Sequence, residues 1–323
     1  MKLHSDIKAF GVLLDSVSEQ TGIRMDILEK DYYVTLLLRE LAKKQVDLPV
    51  YFKGGTALYK AVGSMKRFSE DIDLTVEIKD CSKSQGKKRL ENAANSYSCM
   101  KRTHDKEKES NTKGSITSVY EYVPVVAIDE ADMLQRFGYV KVEATSFTVS
   151  EPTELLLIEP LIYSQSAEDH KKLLKELYEV EPFDLKTIKM ERIFADKLLA
   201  AEFYYQRSLL FDVSKHLYDI VIMMQQERIQ RLISDDEDLI KMISYKRMEE
   251  RERIGSDLTI KPFGDFSLFD KLNHDEKLKI AFLKMQDIYV FGEKDKIDYK
   301  KLLKVIEGLF EVLLKLEEDL AEK

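Results

Sequence analysis

The sequence predicts an α+β protein, with a mixed sheet and flanking helices in its N-terminal half and a helical bundle in its C-terminal half. Four short segments rich in β-branched and aromatic residues precede residue 150. Beyond Pro152, apolar residues recur at helical spacing almost throughout. A length of 323 residues, with 44% hydrophobic and 34% charged residues, is typical of one large or two modest globular domains.

The individual elements follow from periodicity. Apolar residues at every third or fourth position indicate N-terminal helices at 5–22, 25–44 and 57–62. The same spacing indicates C-terminal helices at 167–179, 187–207, 212–231, 235–252, 274–290 and 298–321. Strands are predicted at 50–53, 71–78, 115–123 and 138–147.

Two domains are predicted, 1–155 and 156–323, divided where Pro152 and the run TELLLIEPLIY end the strand pattern. The first domain contains a basic insertion, 79–114. From Lys83 to Lys113 there are nine Lys or Arg residues against four Asp or Glu residues. Such a segment either holds an RNA backbone or is simply a solvated face. The net charge of −8 argues against a protein that coats nucleic acid.

Composition also excludes several classes of protein. The longest apolar runs fall short of the roughly 20 residues that span a bilayer, and the N-terminus lacks the apolar core of a secretory signal. Cys81 and Cys99 form no disulfide framework, which is consistent with a reducing cytoplasm. The five histidines lack zinc-ligand spacing, which sets a zinc hydrolase aside. We therefore expect a cytoplasmic protein without a membrane partner.

The most informative stretch is residues 50–78, VYFKGGTALYKAVGSMKRFSEDIDLTVEI. Its second strand carries Asp71 and Asp73, which project from one face because side chains alternate along a strand. Ile72 and Leu74 belong to the opposite, apolar face. Two neighbouring carboxylates repel each other unless a cation bridges them, and oxygen ligands suit Mg²⁺.

The first strand of this stretch ends in Gly54-Gly55 immediately before a helix. Backbone N–H groups at such a helix start can receive phosphate oxygens. Taken alone, the glycines are also explained by turn chemistry, and the Asp-x-Asp pair by a solvated strand face. Together, and in this order, they predict a site for a nucleoside triphosphate and Mg²⁺.

The segments KGGTAL and RFSEDIDL resemble those of the AbiEii-type nucleotidyltransferase toxins, a type IV toxin–antitoxin family of abortive infection within the DNA polymerase beta-like nucleotidyltransferase superfamily. The resemblance extends to ILEKDYYVTLLLREL, ADKLLA and KHLYDI, and so covers most of the chain. It implies a nucleotidyltransferase-like sheet in the first domain and a helical domain that completes the active site. It also implies a magnesium-dependent enzyme whose acceptor is often the 3′ end of tRNA, and a cognate antitoxin.

Roles for individual residues follow from this resemblance together with the strand pattern. The predicted catalytic residues are Asp71, Asp73, Lys197 and Asp219. The predicted nucleotide-binding residues are Lys53, Gly54, Gly55, Thr56, Ser69, Lys197 and Lys215. The predicted metal ligands are Asp71, Asp73 and Glu143.

Three residues near the acidic strand each fit two different roles. Glu143 is a third metal ligand from a neighbouring strand or a solvent-facing partner of Lys141. Ser69 supports the phosphate or the carboxylates, or merely begins a strand. Arg67 contacts the triphosphate or faces solvent.

The helical half leaves alternatives as well. Lys197 lies within an apolar stripe, so its ammonium either meets a triphosphate or snorkels to the surface. Lys215 and Asp219 lie four residues apart, which is also the spacing of a surface ion pair. His216 departs from the family pattern and leaves that edge of the predicted site open.

The predicted function is Mg²⁺-dependent transfer of NMP from an NTP to an acceptor hydroxyl, with a tRNA 3′ end as the expected acceptor. Two alternatives remain at this point. One is transfer to a protein hydroxyl, and the other is a non-catalytic module that binds RNA or a partner protein.

Overall fold

The computed structural model describes most of the chain, namely residues 2–62, 66–79, 81–127, 137–147, 150–234, 236–254 and 261–321. Residue 80 of the predicted insertion and residue 235 of a predicted helix lie outside these ranges. Two compact units are formed. Unit 1 contains Met1–Gly63, Phe68–Ser146 and Pro152–Ile188, and unit 2 contains Ser64–Arg67, Phe147–Glu151 and Lys189–Lys323.

The helices of unit 1 begin and end at recognisable signals. They are a 3₁₀ turn (Leu3–Ser5), α1 (Ile7–Thr21), α2 (Met25–Lys44), α3 (Gly54–Val62), α4 (Lys83–Asn95), α5 (Leu161–Ser164) and α6 (Glu168–Tyr178). The side chain of Asp6 caps the N-terminus of α1, and left-handed Gly22 follows its C-terminus. A capping box between Ser82 and Gln85 starts α4, so the first part of the basic insertion is an ordered helix.

The described strands form one mixed sheet in unit 1, as predicted. They are β1 (Val50–Lys53), β2 (Ile72–Val76), β3 (Lys101–Arg102), β4 (Ser110–Thr112), β5 (Ser115–Glu121), β6 (Tyr139–Thr145), β7 (Thr153–Ile158) and β8 (Phe183–Ile188). Their order is β3-β5-β6-β2-β1-β8-β7, with β4 also paired to β5. Pairing is antiparallel between β1 and β2 but parallel between β2 and β6.

Besides the short β3 and β4 of the basic insertion, two longer strands, β7 and β8, were not predicted. The sequence predicted a domain boundary where β7 lies, and the start of a helix at residue 187, within β8. The two strands instead pair with each other along their whole lengths. In β8 the side chains of Leu185 and Thr187 are buried and those of Asp184 and Lys186 are exposed, which is strand alternation. Short apolar runs do not distinguish strand from helix by themselves. The domain boundary predicted between residues 155 and 156 stays a prediction.

The inner face of the sheet is apolar where the alternation predicted it. Ile72 and Leu74 of β2, Phe52 of β1 and Val142 of β6 are all fully buried. Burying one face in this way fixes the register, because a slip by one residue would exchange the two faces. Asp71 and Asp73 therefore belong to the other face.

Unit 2 is helical in its described part, as predicted. Its helices are α7 (Met190–Tyr205), α8 (Leu210–Met223), α9 (Glu227–Ser234), α10 (Asp236–Ile254), α11 (Ser267–Lys271), α12 (Glu276–Tyr289) and α13 (Tyr299–Ala321), with 3₁₀ turns at Phe263–Asp265 and Glu293–Asp295. The predicted helix 212–231 is interrupted because Gln225 and Gln226 donate to carbonyls three residues back, which tightens and ends α8. None of the helices within the described ranges combines the length and hydropathy needed to cross a bilayer.

Candidate active site

A row of polar side chains crosses three adjacent strands of the unit 1 sheet. Asp73 of β2 lies opposite Lys53 of β1 on one side and opposite Glu143 of β6 on the other. Directly paired residues share a face of the sheet, so the three side chains are neighbours. The structure thus brings Glu143, which was predicted to come from a neighbouring strand, next to Asp73.

The electrostatics of Glu143 indicate a concentration of negative charge. Burial raises the pKa of Glu143, and the charge of Asp71 raises it further, while Lys141 and Lys53 act in the opposite direction. Asp71 and Glu143 are therefore close enough to repel each other. A cation bound at this place would relieve the repulsion and lower the pKa of Glu143 again.

Gly54 is required by the close approach of Asp73. Its φ of +79° lies in the left-handed region, and an added Cβ would fall 2.1 Å from Oδ2 of Asp73. No side chain fits that space without displacing the carboxylate. The glycine at the start of α3 and the carboxylate of β2 are thus parts of one arrangement, which turn chemistry alone does not explain.

Replacing Gly54 by Ala is expected to abolish most activity and to cost about 1–2 kcal/mol of stability from the left-handed backbone. Gly22→Ala is the matched control, because Gly22 has a φ of +74° but no described atom within 4 Å of an added Cβ. Chemical unfolding and turnover of both variants measure the two effects separately. Equal activity of the two variants would show that displacing the Asp73 carboxylate does not impair the reaction, contrary to this expectation.

Thr56 and Ser69 fix the backbone immediately before β2. The fully buried Thr56 has one hydroxyl proton and contacts the carbonyl of Asp71 at 2.5 Å and Oγ of Ser69 at 2.9 Å. A carbonyl can only accept, so Thr56 donates to Asp71 and Ser69 donates to Thr56. These bonds anchor the backbone that carries Asp71 to the first turn of α3.

In unit 2, a buried carboxylate joins two cations. Asp219 of α8 receives two hydrogen bonds from Arg67, each 2.6 Å long, and Nζ of Lys197 of α7 lies 2.7 Å from its Oδ2. Arg67 reaches this place because its segment joins the end of α12 through a bridge to Val290. The partner of Lys197 in the structure is therefore Asp219, and Arg67 is buried rather than solvent-facing.

This arrangement controls the ionisation of Asp219. Burial acts to raise the pKa of Asp219, but the charges of Arg67 and Lys197 outweigh it and hold the pKa at about 2. Asp219 is thus a carboxylate at neutral pH. Because two cations share one anion, the cluster keeps a net positive charge.

Lys215 and His216, which precede Asp219 in α8, have contacts outside this cluster. Lys215 pairs with Asp212 at 3.4 Å, so the predicted alternative of an ion pair with Asp219 is wrong. His216 stacks on Tyr204 with ring centroids 5.2 Å apart. Burial lowers the pKa of His216, and the charge of Lys197 lowers it further, so the imidazole is neutral at pH 7.

A second buried polar network is centred on Asp31 of α2, for which the sequence predicted no role. Asp31 is fully buried, receives hydrogen bonds of 2.7 Å from the hydroxyl of Tyr59 and from N of Leu161, and forms an ion pair with Lys60. It connects α2, α3 and the start of α5. An Asp and a Lys on otherwise apolar helix faces were the available signal.

Comparison with known families decides the identity of the fold and the chemistry. Residues 35–304 match the family described as "Nucleotidyl transferase AbiEii toxin, Type IV TA system". The chain belongs to this family. A solved structure, "MenT4, nucleotidyltransferase toxin Rv2826c from Mycobacterium tuberculosis H37Rv", is similar over 94% of this chain and 98% of that chain, at 14% identity and a TM-score of 0.46. Comparison with the curated proteins gives no match.

As an AbiEii-family member the protein is a nucleotidyltransferase, and its substrate is an NTP. The type IV toxin–antitoxin system to which the family belongs implies an antitoxin as partner. Nucleotidyltransferases of this kind generally use a divalent metal. Within the described part of the chain, no three His, Cys, Asp or Glu side chains are grouped closely enough to hold a metal ion by themselves.

The donor set nevertheless fits a metal that is shared with a substrate. Mg²⁺ is usually bound by one or two carboxylates, and substrate phosphates and water complete its shell. Asp71 and Asp73 provide two carboxylates at one end of β2, and the charge of Asp71 adds to burial in raising the pKa of Glu143. A site completed by the triphosphate is consistent with the absence of a three-residue group among the described residues.

Proposed function

We propose that this AbiEii-family protein transfers a nucleoside monophosphate from an NTP to a hydroxyl at the 3′ end of tRNA in the cytoplasm, using Mg²⁺ and releasing pyrophosphate. The observation that carries the proposal is the cluster of Asp71, Asp73 and Glu143 beside the turn at Gly54. Clustered carboxylates are costly unless a cation offsets their charge. A cation-dependent phosphoryl transfer is the chemistry that suits them best.

In this proposal Asp71 and Asp73 hold the metal together with the triphosphate. Glu143 is proposed as a third ligand only in that complex, because the three carboxylates alone are not grouped closely enough to bind a metal ion. Bound Mg²⁺ supplies neutralisation of charge on the phosphate oxygens. Lys53 of β1, paired across the strands with Asp73, is proposed to add a positive charge that faces the nucleotide. Positioning and charge neutralisation then provide most of the rate, as in other phosphoryl transfers.

The triphosphate is proposed to bind at the first turn of α3. The N–H groups of Gly54, Gly55 and Thr56 have no acceptor within the helix and are suited to phosphate oxygens. The hydroxyl proton of Ser69 is used by Thr56, which supports a positioning role for Ser69. A contact between Ser69 and a phosphate requires its hydroxyl to turn.

For unit 2, the family resemblance implies that Lys197 and Lys215 bind the triphosphate and that Asp219 is catalytic. Asp219 was expected either to orient Lys197 or to deprotonate the acceptor. A carboxylate whose pKa is about 2 is a weak base. Its ion pairs with Lys197 and Arg67 therefore support the orienting role.

The decisive experiment supplies the purified protein with Mg²⁺, each α-labelled NTP in turn, and total cellular RNA. Label in a tRNA-sized band supports the proposal and identifies the nucleotide. Label on protein instead replaces tRNA by a protein hydroxyl as acceptor. If no label is transferred to any acceptor at any divalent-metal concentration, the chain is a binding module and the proposal is wrong.

A further inference from the structure

An open cavity of about 680 Å³ lies in unit 1, along the C-terminal half of α2. Its walls come from α2, from the N-terminal residues Lys2 and His4, and from the loop Ser98–Cys99 that follows α4. None of the lining residues belongs to the cluster of Asp71, Asp73 and Glu143. The cavity is therefore separate from that cluster, and we call it the basic cavity.

Positive charge dominates the basic cavity. The lining residues include four cationic side chains, Lys2, Arg39, Lys43 and Lys44, but only one carboxylate, Glu40. That carboxylate accepts hydrogen bonds from N of Ser98 (2.7 Å), Oγ of Ser98 (3.1 Å) and N of Cys99 (2.9 Å). Glu40 is thus used to hold the loop. In a chain of net charge −8, such a local surplus is informative.

The cations of the basic cavity are held mainly by uncharged partners. Arg39 lies over the ring of Phe183 and donates to the carbonyl of Glu181. Lys44 lies 3.4 Å from the ring centroid of Tyr97 and donates to the carbonyl of Asn92. Among the described residues no ion pair joins Arg39, Lys43 or Lys44 to a carboxylate, whereas Lys2 does pair with Glu179.

Within the described ranges, Arg39, Lys43 and Lys44 thus have no direct ion pair, although the charges of Glu40, Glu179 and Glu181 act on them from nearby. Burial lowers the pKa of Lys44 to about 8, which shows that the charge is partly removed from water. Partly dehydrated cations gain more from an arriving anion than fully solvated ones. The surface is therefore built for an anionic ligand.

The positive charge continues beyond the cavity. Lys44 contacts α4 through Asn92, and the exposed Lys88 lies one turn before Asn92 on the same face of α4. A chain of phosphates suits an extended basic surface better than a single phosphate group does. The rings of Tyr97 and Phe183 are covered by Lys44 and Arg39, so the cavity offers charge without free faces for base stacking.

We propose that the basic cavity binds the phosphodiester backbone of the acceptor RNA, without reading its sequence. The proposal rests on the proposed function only in taking RNA as the acceptor. It assigns the basic insertion, which the sequence left between an RNA surface and a solvated face, to RNA binding through α4.

The test measures the affinity of the full chain for a fluorescein-labelled single-stranded RNA of about 20 nucleotides, without NTP or Mg²⁺, between about 50 and 200 mM salt. Each lost phosphate contact reduces the slope of log K against log salt by about 0.7 for a single strand. We expect Lys43→Gln/Lys44→Gln to bind about tenfold more weakly near 0.1 M salt, with a slope smaller by about 1.4.

Lys284→Gln/Lys304→Gln is the matched control, because it removes the same charge from exposed positions of α12 and α13. Lys43→Glu is a second variant that leaves the contacts of Lys44 intact. Equal affinity and slope in the cavity variants and the control would overturn the proposal. Displacement of RNA by inorganic pyrophosphate from the wild type, but not from the cavity variants, would also overturn it by indicating a site for small phosphates.

Because the assay contains no NTP, its outcome is separate from that of the transfer reaction. RNA binding through Lys43 and Lys44 without nucleotide transfer would contradict the proposed function and keep this inference. Transfer to RNA with unchanged RNA binding in the cavity variants would support the proposed function and contradict this inference.

Discussion

Asp73→Asn should reduce nucleotidyl transfer at least about 10³-fold, or about 4 kcal/mol of transition-state stabilisation, while the protein stays folded. Asparagine keeps the shape of the side chain but loses the charge that is proposed to hold the metal. Asp73 is only half-buried and faces Glu143, so its charge is not needed for the core. We expect the free energy of unfolding to change by no more than about 1 kcal/mol.

The measurement is turnover with labelled NTP, alongside urea unfolding of the same preparation. Asp47→Asn makes the same chemical change at an exposed position of unit 1 and should leave turnover unaltered. A variant at Asp73 that is folded and fully active would remove the metal site from the proposal. An unfolded variant would instead show that the carboxylate is structural.

Asp71→Asn provides an independent readout that does not depend on activity. The charge of Asp71 is one of the causes that raise the pKa of Glu143. Removing that charge should lower the pKa of Glu143, measurable by NMR titration of side-chain carboxyl groups. An unchanged titration of Glu143 would mean that the two carboxylates are not neighbours.

Asp219→Asn should destabilise the protein by about 3–5 kcal/mol, the largest stability effect that we expect from one substitution. The change removes the charge with which Asp219 neutralises Arg67 and Lys197, whose side chains are only 5% and 6% exposed. Burying an unpaired charge costs far more than losing a surface ion pair. Urea unfolding followed by circular dichroism measures the difference.

Two further variants separate charge from packing in this experiment. Asp212→Asn breaks the ion pair with Lys215, in which the Asp212 side chain is 42% exposed, and should cost less than about 1 kcal/mol. Lys197→Met added to Asp219→Asn removes one of the two cations that Asp219 neutralises and should restore part of the stability. A double variant less stable than Asp219→Asn would argue against uncompensated charge as the cause.

The same carboxylate predicts a pH dependence. The pKa of Asp219 is about 2 in the folded protein, below its ordinary value of 3.8. A group whose pKa is lowered by folding contributes stability above its unfolded pKa and loses it as the pH falls through the folded pKa. Wild-type stability should therefore fall between about pH 4 and pH 2 more steeply than that of Asp219→Asn.

The central strands of the sheet and the cluster of Asp71, Asp73 and Glu143 could be predicted from local patterns. The alternation around Asp71 and Asp73 and the glycines before a helix are short-range signals, and the structure agrees with the strands and helices expected there. The strands β7 and β8 were missed because their pairing joins segments separated by two intervening helices. The local spacing of apolar residues does not indicate which distant strands will pair.

Burial was the second property that the sequence could not supply. Asp31 is a charged residue on a predicted amphipathic helix, yet it is fully buried among Tyr59, Lys60 and Leu161. Spacing within one helix cannot show which residues another element will cover. The partners of a charged side chain are decided by packing.

The order of residues along the chain determined the class of fold, the family and the pairing of two carboxylates with a glycine turn, because their signals are short motifs and local periodicities. Only the tertiary structure decided that Asp219 pairs with Arg67 and Lys197 and not with Lys215. Arg67 is 152 residues from Asp219. Electrostatic energy depends on distance in space and on exclusion of water, and neither can be read along the chain.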